Sequence, residues 1–500
     1  MLAQILTMPH IIMGFIGVVV GIIFGAIPGM TATMAVAVFL PLTYAYDLMT
    51  SLFLLLGLYV GGISGGLIPA ILINIPGTPS SITTCFDGHP MARRGEGERA
   101  LKIGITSSLI GGIFSLVCLW LFTPPLASLA IKFSAVEKFL VILFALTIIA
   151  ALSKGKMLIG VFMGFLGVLV SLMGTFDDNN KIRLVPGLLE KPLIYGFALL
   201  PVLIGLFALG QMFEEAEMGM KKEAIDKDIM NKQTKKFSFK DFKGQFVNLI
   251  RSSAIGTFVG VLPGIGGSAA NLLAYSQTKN FSKHPEELGK GAIEGLVSSE
   301  SSNNGLTGGA LIPLLSMGIP GDSTTAVLIG AFALQGLQIG PLFITKNPDT
   351  WYGILIAMLL CNIIMFLVMF YPIKFISKII FIPKQRLYPV ILLMCVVGAY
   401  ACNYGVMFDV WSLIIFGVLG YLFIKLDLPS TPFLIGFILG GDLEKYFVDA
   451  LKGSGGHLSV FFTRGPICWV LWLLIAASIA YAVIGEKKDR KKAKASAQAV

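Results

Sequence analysis

The sequence predicts an all-α polytopic membrane protein with roughly 10–12 transmembrane segments, in which two inverted repeats contain Pro-Gly-broken helices or re-entrant hairpins. The chain has 500 residues, of which 55% are hydrophobic and 13% are charged, and its mean hydropathy is +0.82. A soluble globular chain carries about 25% charged residues. Apolar runs close to the ~20 residues of one span follow each other almost from end to end. The ~10-residue alternating segments of a transmembrane β-barrel are absent from the sequence.

The apolar segments fall into two halves on either side of a charged stretch. They lie near residues 11–27, 31–44, 52–75, 101–131, 138–153, 157–173 and 193–213, and then 249–262, 265–278, 305–319, 325–343, 351–382, 387–402, 405–425, 430–450 and 460–484. We assign residues 1–213 to a first membrane repeat and 249–484 to a second. The stretch 214–248 has eight Lys and seven Asp or Glu, which predicts a cytoplasmic linker. Residues 485–500 form a basic cytoplasmic tail.

The charge and motif content excludes several classes of protein. The net charge is +10, but the positive residues lie in short loops and in the tail, which indicates a positive-inside bias rather than nucleic-acid binding. The six cysteines form no CxxC pair and read as small buried side chains. There is no Walker A motif, and no nucleophile–base arrangement supports an enzyme. No cofactor is expected beyond a coupling ion.

A pair of Pro-Gly motifs recurs in the same order in both halves. Segments 21–29 and 256–264 both read GxxxGxxPG. Further on, Pro76-Gly77 follows Pro69 by seven residues, and Pro320-Gly321 follows Pro313 by seven residues. One such motif would be unremarkable in a Gly-rich membrane chain, whereas two in the same order predict an internal repeat.

The loop charges predict that the two repeats are inverted. The first-half loop 44–51 between the motifs has no Lys or Arg, whereas the corresponding second-half loop contains Lys279, Lys283 and Lys290. After the second motif the pattern reverses, with Arg93, Arg94, Arg99 and Lys102 in the first half against Lys346 in the second. Positive loops face the cytoplasm, so equivalent loops are expected on opposite sides. The alternative, a duplication whose charges drifted by chance, stays open.

Polar residues cluster beside the four breaks. Interrupted backbone at membrane depth is tolerated where it is buried in protein or lines a watery cavity. Hydroxyls and free amides at a new helix start bind anions, and exposed carbonyls at a helix end suit Na⁺. The expected substrate-binding residues are Asn74, Pro76, Gly77, Thr78, Ser80, Ser81, Ser316, Pro320, Gly321, Asp322, Ser323 and Thr324. The expected cation-binding residues, where Na⁺ is the candidate metal, are Gly29, Thr31, Gly264, Gly266, Ser268, Asn271, Glu300, Asn303 and Asn304.

The alternative interpretation of these polar clusters is helix capping and packing. Three acids lie closest to the breaks, namely Asp87, Glu300 and Asp322. An intramembrane acid is by default a functional candidate, and each of the three is able to ligate a cation or carry a proton. Each is equally able to face water at a membrane surface.

The motif residues resemble a known family, the large membrane subunit of the tripartite tricarboxylate transporters (TctA-like). The matching stretches are 25–29, 61–77, 85–95 with 99–101, 256–267, and 303–321 ending in Gly-Ile-Pro-Gly-Asp. The resemblance covers about residues 10–480. Ser301 and Ser302 depart from the small apolar residues of the family, which bears on the fit of the substrate.

The resemblance implies a secondary active transporter that imports di- or tricarboxylates such as citrate across the bacterial inner membrane. It implies coupling to a Na⁺ or H⁺ gradient and an elevator-type alternating access. It also implies two partners, a small four-helix membrane subunit and a periplasmic solute-binding protein. The alternatives left open are a carboxylate exchanger that works without a binding protein, and a channel.

Overall fold

The computed structural model describes residues 5–151, 157–176, 181–218, 234–376, 378–379, 382, 384–403 and 405–480. Residues 219–233 of the predicted linker and the whole predicted tail 485–500 lie outside the described residues. Within the described part, six helices are long and apolar enough to cross a membrane, and six shorter apolar helices accompany them. The predicted all-α membrane class is therefore confirmed.

In its described residues, the first half has ten helices and one short hairpin of strands. The helices are α1 Met8–Ala26, α2 Ala32–Phe39, α3 Leu48–Gly65, α4 Leu67–Ile73, α5 Ile82–Met91, α6 Gly97–Ile131, α7 Ala135–Ala151, α8 Met157–Ser171, α9 Leu199–Ile204 and α10 Gly210–Met218. Strands β1 Gly174–Phe176 and β2 Lys181–Arg183 pair antiparallel. Short helical turns complete it at Leu40–Ala45, Pro79–Ser81, Ala92–Glu96, Gly187–Leu189 and Gly205–Leu209.

The second half is described by twelve helices. They are α11 Phe246–Val261, α12 Gly266–Phe281, α13 Ile293–Met317, α14 Ser323–Leu334, α15 Phe343–Lys346, α16 Pro348–Phe370, α17 Ile373–Ile376, α18 Lys384–Ala401, α19 Met407–Lys425, α20 Ser430–Gly453, α21 Val460–Thr463 and α22 Pro466–Ala480. A short turn at Phe239–Phe242 precedes them.

Two segments differ from the sequence expectation. The apolar segment near 305–319 belongs to a helix that begins at Ile293, because the polar run 298–304 is fully buried and helical. The segment near 351–382 is divided, since α16 ends at Phe370, just before Pro372, and Pro lacks the N–H that would continue the helical ladder.

Each GxxxGxxPG motif ends one arm of a helical hairpin. In the first half, α1 leads into the Pro28-Gly29 turn, and α2 and the turn Leu40–Ala45 return, so that His10 Nε2 near the start of α1 lies 3.8 Å from Asp47, the N-cap of α3. In the second half, α11 and α12 form the same unit around Pro263-Gly264. There, the Thr278 hydroxyl donates to Asn248 Oδ1 at 2.8 Å and joins the two ends.

The motif glycines make equivalent contacts in the two halves. A Cβ on Gly21 would lie 2.6 Å from the Leu58 carbonyl oxygen, and one on Gly25 would overlap the Gly62 carbonyl oxygen. In the second half, the corresponding carbonyls are those of Ser302, against Gly256, and Leu306, against Gly260. Leu58 and Ser302 both lie 18 residues before the Pro of the second motif, and Gly62 and Leu306 both lie 14 before it. The repeated sequence motifs therefore make the same glycine–carbonyl packing contacts in both halves.

The second break also has the same geometry in both halves. Helix α4 ends at Asn74 with φ 60°, and α13 ends at Gly318 with φ 77°, so the equivalent residue adopts the left-handed conformation in each case. The amide of the next residue returns to a proline carbonyl, from Ile75 to Pro69 at 3.4 Å and from Ile319 to Pro313 at 3.3 Å. After each of these two helix ends, the following segment turns back along the helix that it has just left.

Loops of similar charge contact one another. The Arg94 guanidinium donates to the carbonyls of Lys290 and Gly291, both at 2.9 Å, which joins the two positive loops. The loop without Lys or Arg lies at the start of α3, and there Gln335 Nε2 donates to the adjacent Thr43 carbonyl at 2.8 Å. The opposite membrane orientation of the repeats stays a prediction.

The described end of the charged stretch docks on the positive loop of the first half. Thr234 donates to the Gly95 carbonyl from its amide at 2.9 Å and to the Arg94 carbonyl from its hydroxyl at 3.0 Å. Arg99 donates to the Asp241 carboxylate at 2.8 and 3.2 Å and also pairs with Glu96. The hydrogen bonds from Arg99 hold the pKa of the Asp241 carboxyl below its usual range.

Removing this contact is expected to lower stability in a pH-dependent way. Because the folded pKa of Asp241 is depressed, its contribution is present above the unfolded pKa of about 3.9 and is lost as the pH falls through the folded value. We expect Asp241→Asn to lower the free energy of unfolding by about 1 kcal/mol at pH 7. Thermal unfolding of the purified protein measures this, with Glu190→Gln, at an exposed position after the turn Gly187–Leu189, as the control. Equal melting temperatures for the two variants at pH 7 would contradict it.

Candidate substrate and cation site

The two halves cross where their breaks meet. Thr33, in the first turn of α2, has its hydroxyl 2.8 Å from that of Thr324, in the first turn of α14. Reciprocally, Ser268 at the start of α12 donates to the Pro79 carbonyl at 2.8 Å. Each hairpin turn of one half thus contacts the second break of the other half. This crossing gathers four chain interruptions in one place.

The first-half break presents a buried hydroxyl cluster. Thr78 Oγ1 lies 3.0 Å from the hydroxyls of both Ser80 and Ser81. The three residues follow an extended return that lays the chain against Gly66, where a Cβ would lie 2.7 Å from Thr78 Oγ1. Asn271 of α12 donates to the Ser80 carbonyl and holds this turn from the other half. The cluster is therefore enclosed by both repeats.

The second-half break carries a carboxylate whose acceptors are already occupied. Asp322 caps α14, because its Oδ1 accepts from the Thr325 amide and the Thr325 hydroxyl, both at 2.7 Å. Tyr59 donates to Asp322 Oδ2 at 2.7 Å from α3 in the other half. A capping carboxylate with three donors stabilises the helix start. In this conformation it is engaged by protein rather than open to a cation.

Asn303 provides an acceptor with no donor. It is fully buried, its Nδ2 donates to the Ile63 carbonyl at 3.4 Å, and its Oδ1 has no hydrogen-bond partner. Exchanging the amide N and O would set Oδ1 against that carbonyl, so the hydrogen bond favours the orientation shown. Oδ1 lies 3.5 Å from the Cβ position of Gly267, beside the hydroxyl cluster. A buried acceptor without a donor is a candidate ligand for a cation.

A chain of hydrogen bonds links the site to a buried acid. Ser64 donates to Asn304 Oδ1 at 2.6 Å, and Asn304 Nδ2 donates to the Glu300 carbonyl at 3.2 Å. The Glu300 carboxylate accepts from the Thr84 hydroxyl at 2.5 Å and from the Ser108 hydroxyl at 3.0 Å. Glu300 therefore lies behind the tips, between α13, α5 and α6.

Asp87 is an anchor between the repeats. It is fully buried, and its Oδ1 accepts from the amides of Gly289, Gly291 and Ala292 at 2.7–2.9 Å. Its Oδ2 accepts from the Tyr275 hydroxyl at 2.8 Å. A carboxylate at the start of α13 also interacts favourably with the helix dipole. Asp87 thus ties α5 of the first half to α12 and α13 of the second.

Several expected site residues do not present side chains to this cluster. Ser316 donates to the Ile312 carbonyl of its own helix, Ser323 lies 3.1 Å from the Thr431 hydroxyl, and Asn74 is exposed. Thr31 caps α2 by accepting from the Met34 amide. The remaining expected residues form the turns themselves, namely Gly29, Pro76, Gly77, Gly264, Gly266, Pro320 and Gly321.

Sequence reasoning missed three participants, Tyr59, Ser64 and Glu215, and it noted Ser302 only as a departure from the family. Tyr59 and Ser64 stand out as polar residues in the otherwise apolar end of α3, which was the available signal. Ser302 donates to Asn271 Oδ1 at 2.7 Å. Glu215 was assigned to the linker, but α10 continues to Met218 and brings its carboxylate to the Pro28-Gly29 turn, where a Cβ on Gly29 would overlap it.

The fold and this site define a polytopic membrane protein whose helices are broken where buried polar groups from both halves converge. The chain belongs to the tripartite tricarboxylate transporter TctA family, whose family model matches residues 11–435. It is thus a subunit of a membrane transporter, and the resemblance drawn from its motifs is confirmed.

Two relatives from Agrobacterium vitis are similar to the chain. One, named "uncharacterized 52.8 kDa protein in TAR-I ttuC' 3'region", is 35% identical over 486 residues, covering 97% of this chain and 95% of the relative. The other, named "uncharacterized protein in TAR-II ttuC' 3'region", is 38% identical over 228 residues, covering 44% of this chain and 94% of the relative. No solved structure matches the chain.

Proposed function

We propose that this chain is the large transport subunit of a secondary active importer of di- or tricarboxylates such as citrate. It works in the bacterial inner membrane, draws on a Na⁺ or H⁺ gradient, receives substrate from a periplasmic solute-binding protein and pairs with a small four-helix membrane subunit. The observation that carries the proposal is the crossing of the two halves, in which Thr33 meets Thr324 and Ser268 meets Pro79. Membership of the TctA family supports it.

The polar groups favour an anion held without a cationic side chain. Neither residues 8–91 nor 293–334 contain a Lys or an Arg. Hydroxyls and helix starts are then the groups left to bind carboxylates. Thr78 and Ser80 supply one such set, and Thr33 and Thr324 supply another from the opposite direction. Two facing sets of donors suit a substrate with a carboxylate at each end.

The contacts support alternating access by two repeats of opposite orientation. The contact between the two positive loops, and the separate Thr43–Gln335 contact beside the loop without Lys or Arg, agree with inverted repeats. An elevator-type movement would carry the crossed tips together as one unit, because each tip is packed on the partner hairpin. For the substrate site to open first to one side of the membrane and then to the other, the contacts at the edge of that unit would have to change.

The unpartnered oxygen of Asn303 supports a cation beside the substrate. Na⁺ prefers oxygen ligands, and the Ser80 hydroxyl lies 3.3 Å from the same Gly267 Cβ position. We expect Asn303→Ala to raise the half-saturating concentration of the coupling cation about tenfold or more, a change of ~1.4 kcal/mol. Uptake measured against cation concentration checks this. Asn347→Ala is the control, because Asn347 precedes α16 and its side chain makes no capping hydrogen bond to that helix. Unchanged cation dependence would remove Asn303 from the site.

Reconstituted transport tests the proposed function. Radiolabelled citrate uptake is measured in proteoliposomes that contain this chain and its small partner, with the binding protein outside and with Na⁺ and pH gradients varied separately. The proposal expects uptake that requires both the binding protein and a gradient. Binding-protein-dependent uptake of a different carboxylate would change only the substrate. Gradient-independent flux that does not saturate would contradict the carrier and favour a channel.

A further inference from the structure

Glu300 is a buried carboxylate without a countercharge. Its side chain is 0% exposed, and in the described part of the chain its carboxylate accepts side-chain hydrogen bonds from Thr84 and Ser108 alone. The helix that carries it has no Lys or Arg, and neither does α5, which packs against it. On α6, the nearby cations are already paired, Arg99 with Glu96 and Asp241, and Lys102 with Glu98.

The groups that contact Glu300 from α5 and α6 are uncharged. Helices α11 and α12 also pack against α13, and their cations are Arg251, which donates to Asn248 and Thr278, and Lys279, in the last turn of α12. From α5 come Thr84 and the Cys85 thiol, which donates to the Ser81 carbonyl at 3.8 Å. From α6 come Ser108 and the backbone at Gly104, whose Cβ position lies 3.4 Å from Glu300 Cγ. Asp87, farther along α5, accepts hydrogen bonds from three amides at the start of α13 and from a tyrosine.

Burying Glu300 as an ionised carboxylate costs free energy at this position, whereas burying it as the protonated acid costs little. Burying one unpaired charge costs several kcal/mol even after relaxation. The protonated acid needs only a hydrogen-bond acceptor, and a hydroxyl is able to switch from donor to acceptor by rotating its proton. Thr84 and Ser108 therefore accommodate either form, while the absence of a nearby cation favours the neutral one in this conformation. A Na⁺ ion would require more oxygen ligands than these two hydroxyls supply.

Thr84, which donates to the Glu300 carboxylate, connects this acid to the substrate site. Thr84 lies on α5, which starts at the hydroxyl cluster of Thr78, Ser80 and Ser81. On its own helix, the Glu300 carbonyl accepts from Asn304, which in turn accepts from Ser64. Any movement that withdraws α5 from α13 would separate Thr84 from the carboxylate and admit water.

We propose that Glu300 binds and releases one proton in each transport cycle. The proton binds a carboxylate oxygen when α5 is seated against α13, so the closed site carries a neutral acid. It passes to water when α5 withdraws and the carboxylate becomes hydrated. This inference rests on the proposed transport function and adds proton coupling to it, at a residue separate from the Asn303 cation site.

The first test reads the proton directly and requires no transport. Infrared difference spectroscopy of the purified chain in lipid, taken between low and high pH, is expected to show a protonated-carboxyl C=O band that disappears at high pH. The band should be absent from Glu300→Gln and present in Glu294→Gln, a control on the same helix whose acid accepts from Ser282. A band that persists unchanged in Glu300→Gln, or no such band in the parent protein, would overturn the inference.

The second test separates coupling from transport. In proteoliposomes, Glu300→Gln is expected to retain exchange of labelled for unlabelled carboxylate and to lose uptake driven by a pH gradient at least about tenfold, whereas Glu294→Gln keeps both. Ser108→Ala removes one of the two hydroxyl donors to Glu300, so it should shift the pH at which half of the infrared band has disappeared. This variant keeps the inference testable if Glu300→Gln does not fold. Uptake by Glu300→Gln that still follows the pH gradient would overturn the inference. No carboxylate transport by the parent protein would instead count against the proposed function, with the infrared result standing on its own.

Discussion

Alanine at Gly77 or Gly321 is expected to abolish transport and to destabilise the protein. A Cβ on Gly77 would overlap the Gly25 carbonyl oxygen and lie 2.8 Å from Gly66 Cα. In the second half, a Cβ on Gly321 would overlap the Gly260 carbonyl oxygen and lie 2.6 Å from Ala310 Cα. The obstacles are backbone atoms of packed helices, so no side-chain rotation relieves them.

Overpacking of this kind costs about 1–3 kcal/mol, and here it would push the second break away from its hairpin. Since the two breaks form the site together, we expect uptake to fall about tenfold or more and the melting temperature to drop. The matched control is Gly441→Ala, because a Cβ on Gly441 meets nothing within 4 Å. Near-normal uptake by both Gly77→Ala and Gly321→Ala would mean that close packing at the breaks is not needed for function.

Asp87→Ala is expected to have the largest effect on stability among single polar substitutions. It would leave the amides of Gly289, Gly291 and Ala292 and the Tyr275 hydroxyl without their acceptor. A buried donor left unsatisfied costs about 1–3 kcal/mol; Gly289 is exposed and the other three donors are half-buried, so water would satisfy some of them and a total of about 3 kcal/mol is expected. The start of α13 would also lose its favourable charge.

Thermal unfolding and size-exclusion behaviour of the purified variant measure this loss. Tyr275→Phe provides a graded comparison, because it removes one of the four donors and is expected to cost about 1 kcal/mol. Glu190→Gln, at an exposed position, should leave the melting temperature unchanged. If Asp87→Ala unfolds at the same temperature as Glu190→Gln, the anchoring role of Asp87 is wrong.

The parts of the fold that follow local rules were predictable from sequence. Hydropathy predicted the membrane class, and the two GxxxGxxPG motifs located the hairpin turns because Pro ends a helix and Gly permits the close approach. The recurrence of Pro69–Gly77 as Pro313–Gly321 located the second breaks. Their equivalence in packing, from Gly25–Gly62 to Gly260–Leu306, then follows from the repeat.

Other features depend on contacts between distant residues, which no local pattern reveals. Thr33 and Thr324 are 291 positions apart, and Asp87 meets amides more than 200 positions away. The run Ser298–Asn304 looks like a loop because it is polar, yet it lies inside α13, where neighbouring helices bury it. Glu215 is one of many charged residues in the stretch 214–248, so the sequence did not single it out. Only tertiary packing brings it to Gly29.

The central claim is that the two breaks form one substrate site, and thiol protection tests it most directly. Ser80→Cys and Thr324→Cys are made singly in a chain whose six native cysteines are replaced, then labelled in proteoliposomes with a thiol reagent. The account predicts that the carboxylate accepted in the uptake assay protects both positions with the same half-saturating concentration. It predicts no protection at Ser323→Cys, whose position faces Thr431 instead. Labelling of Ser80→Cys and Thr324→Cys that saturating substrate leaves unchanged would contradict a shared site.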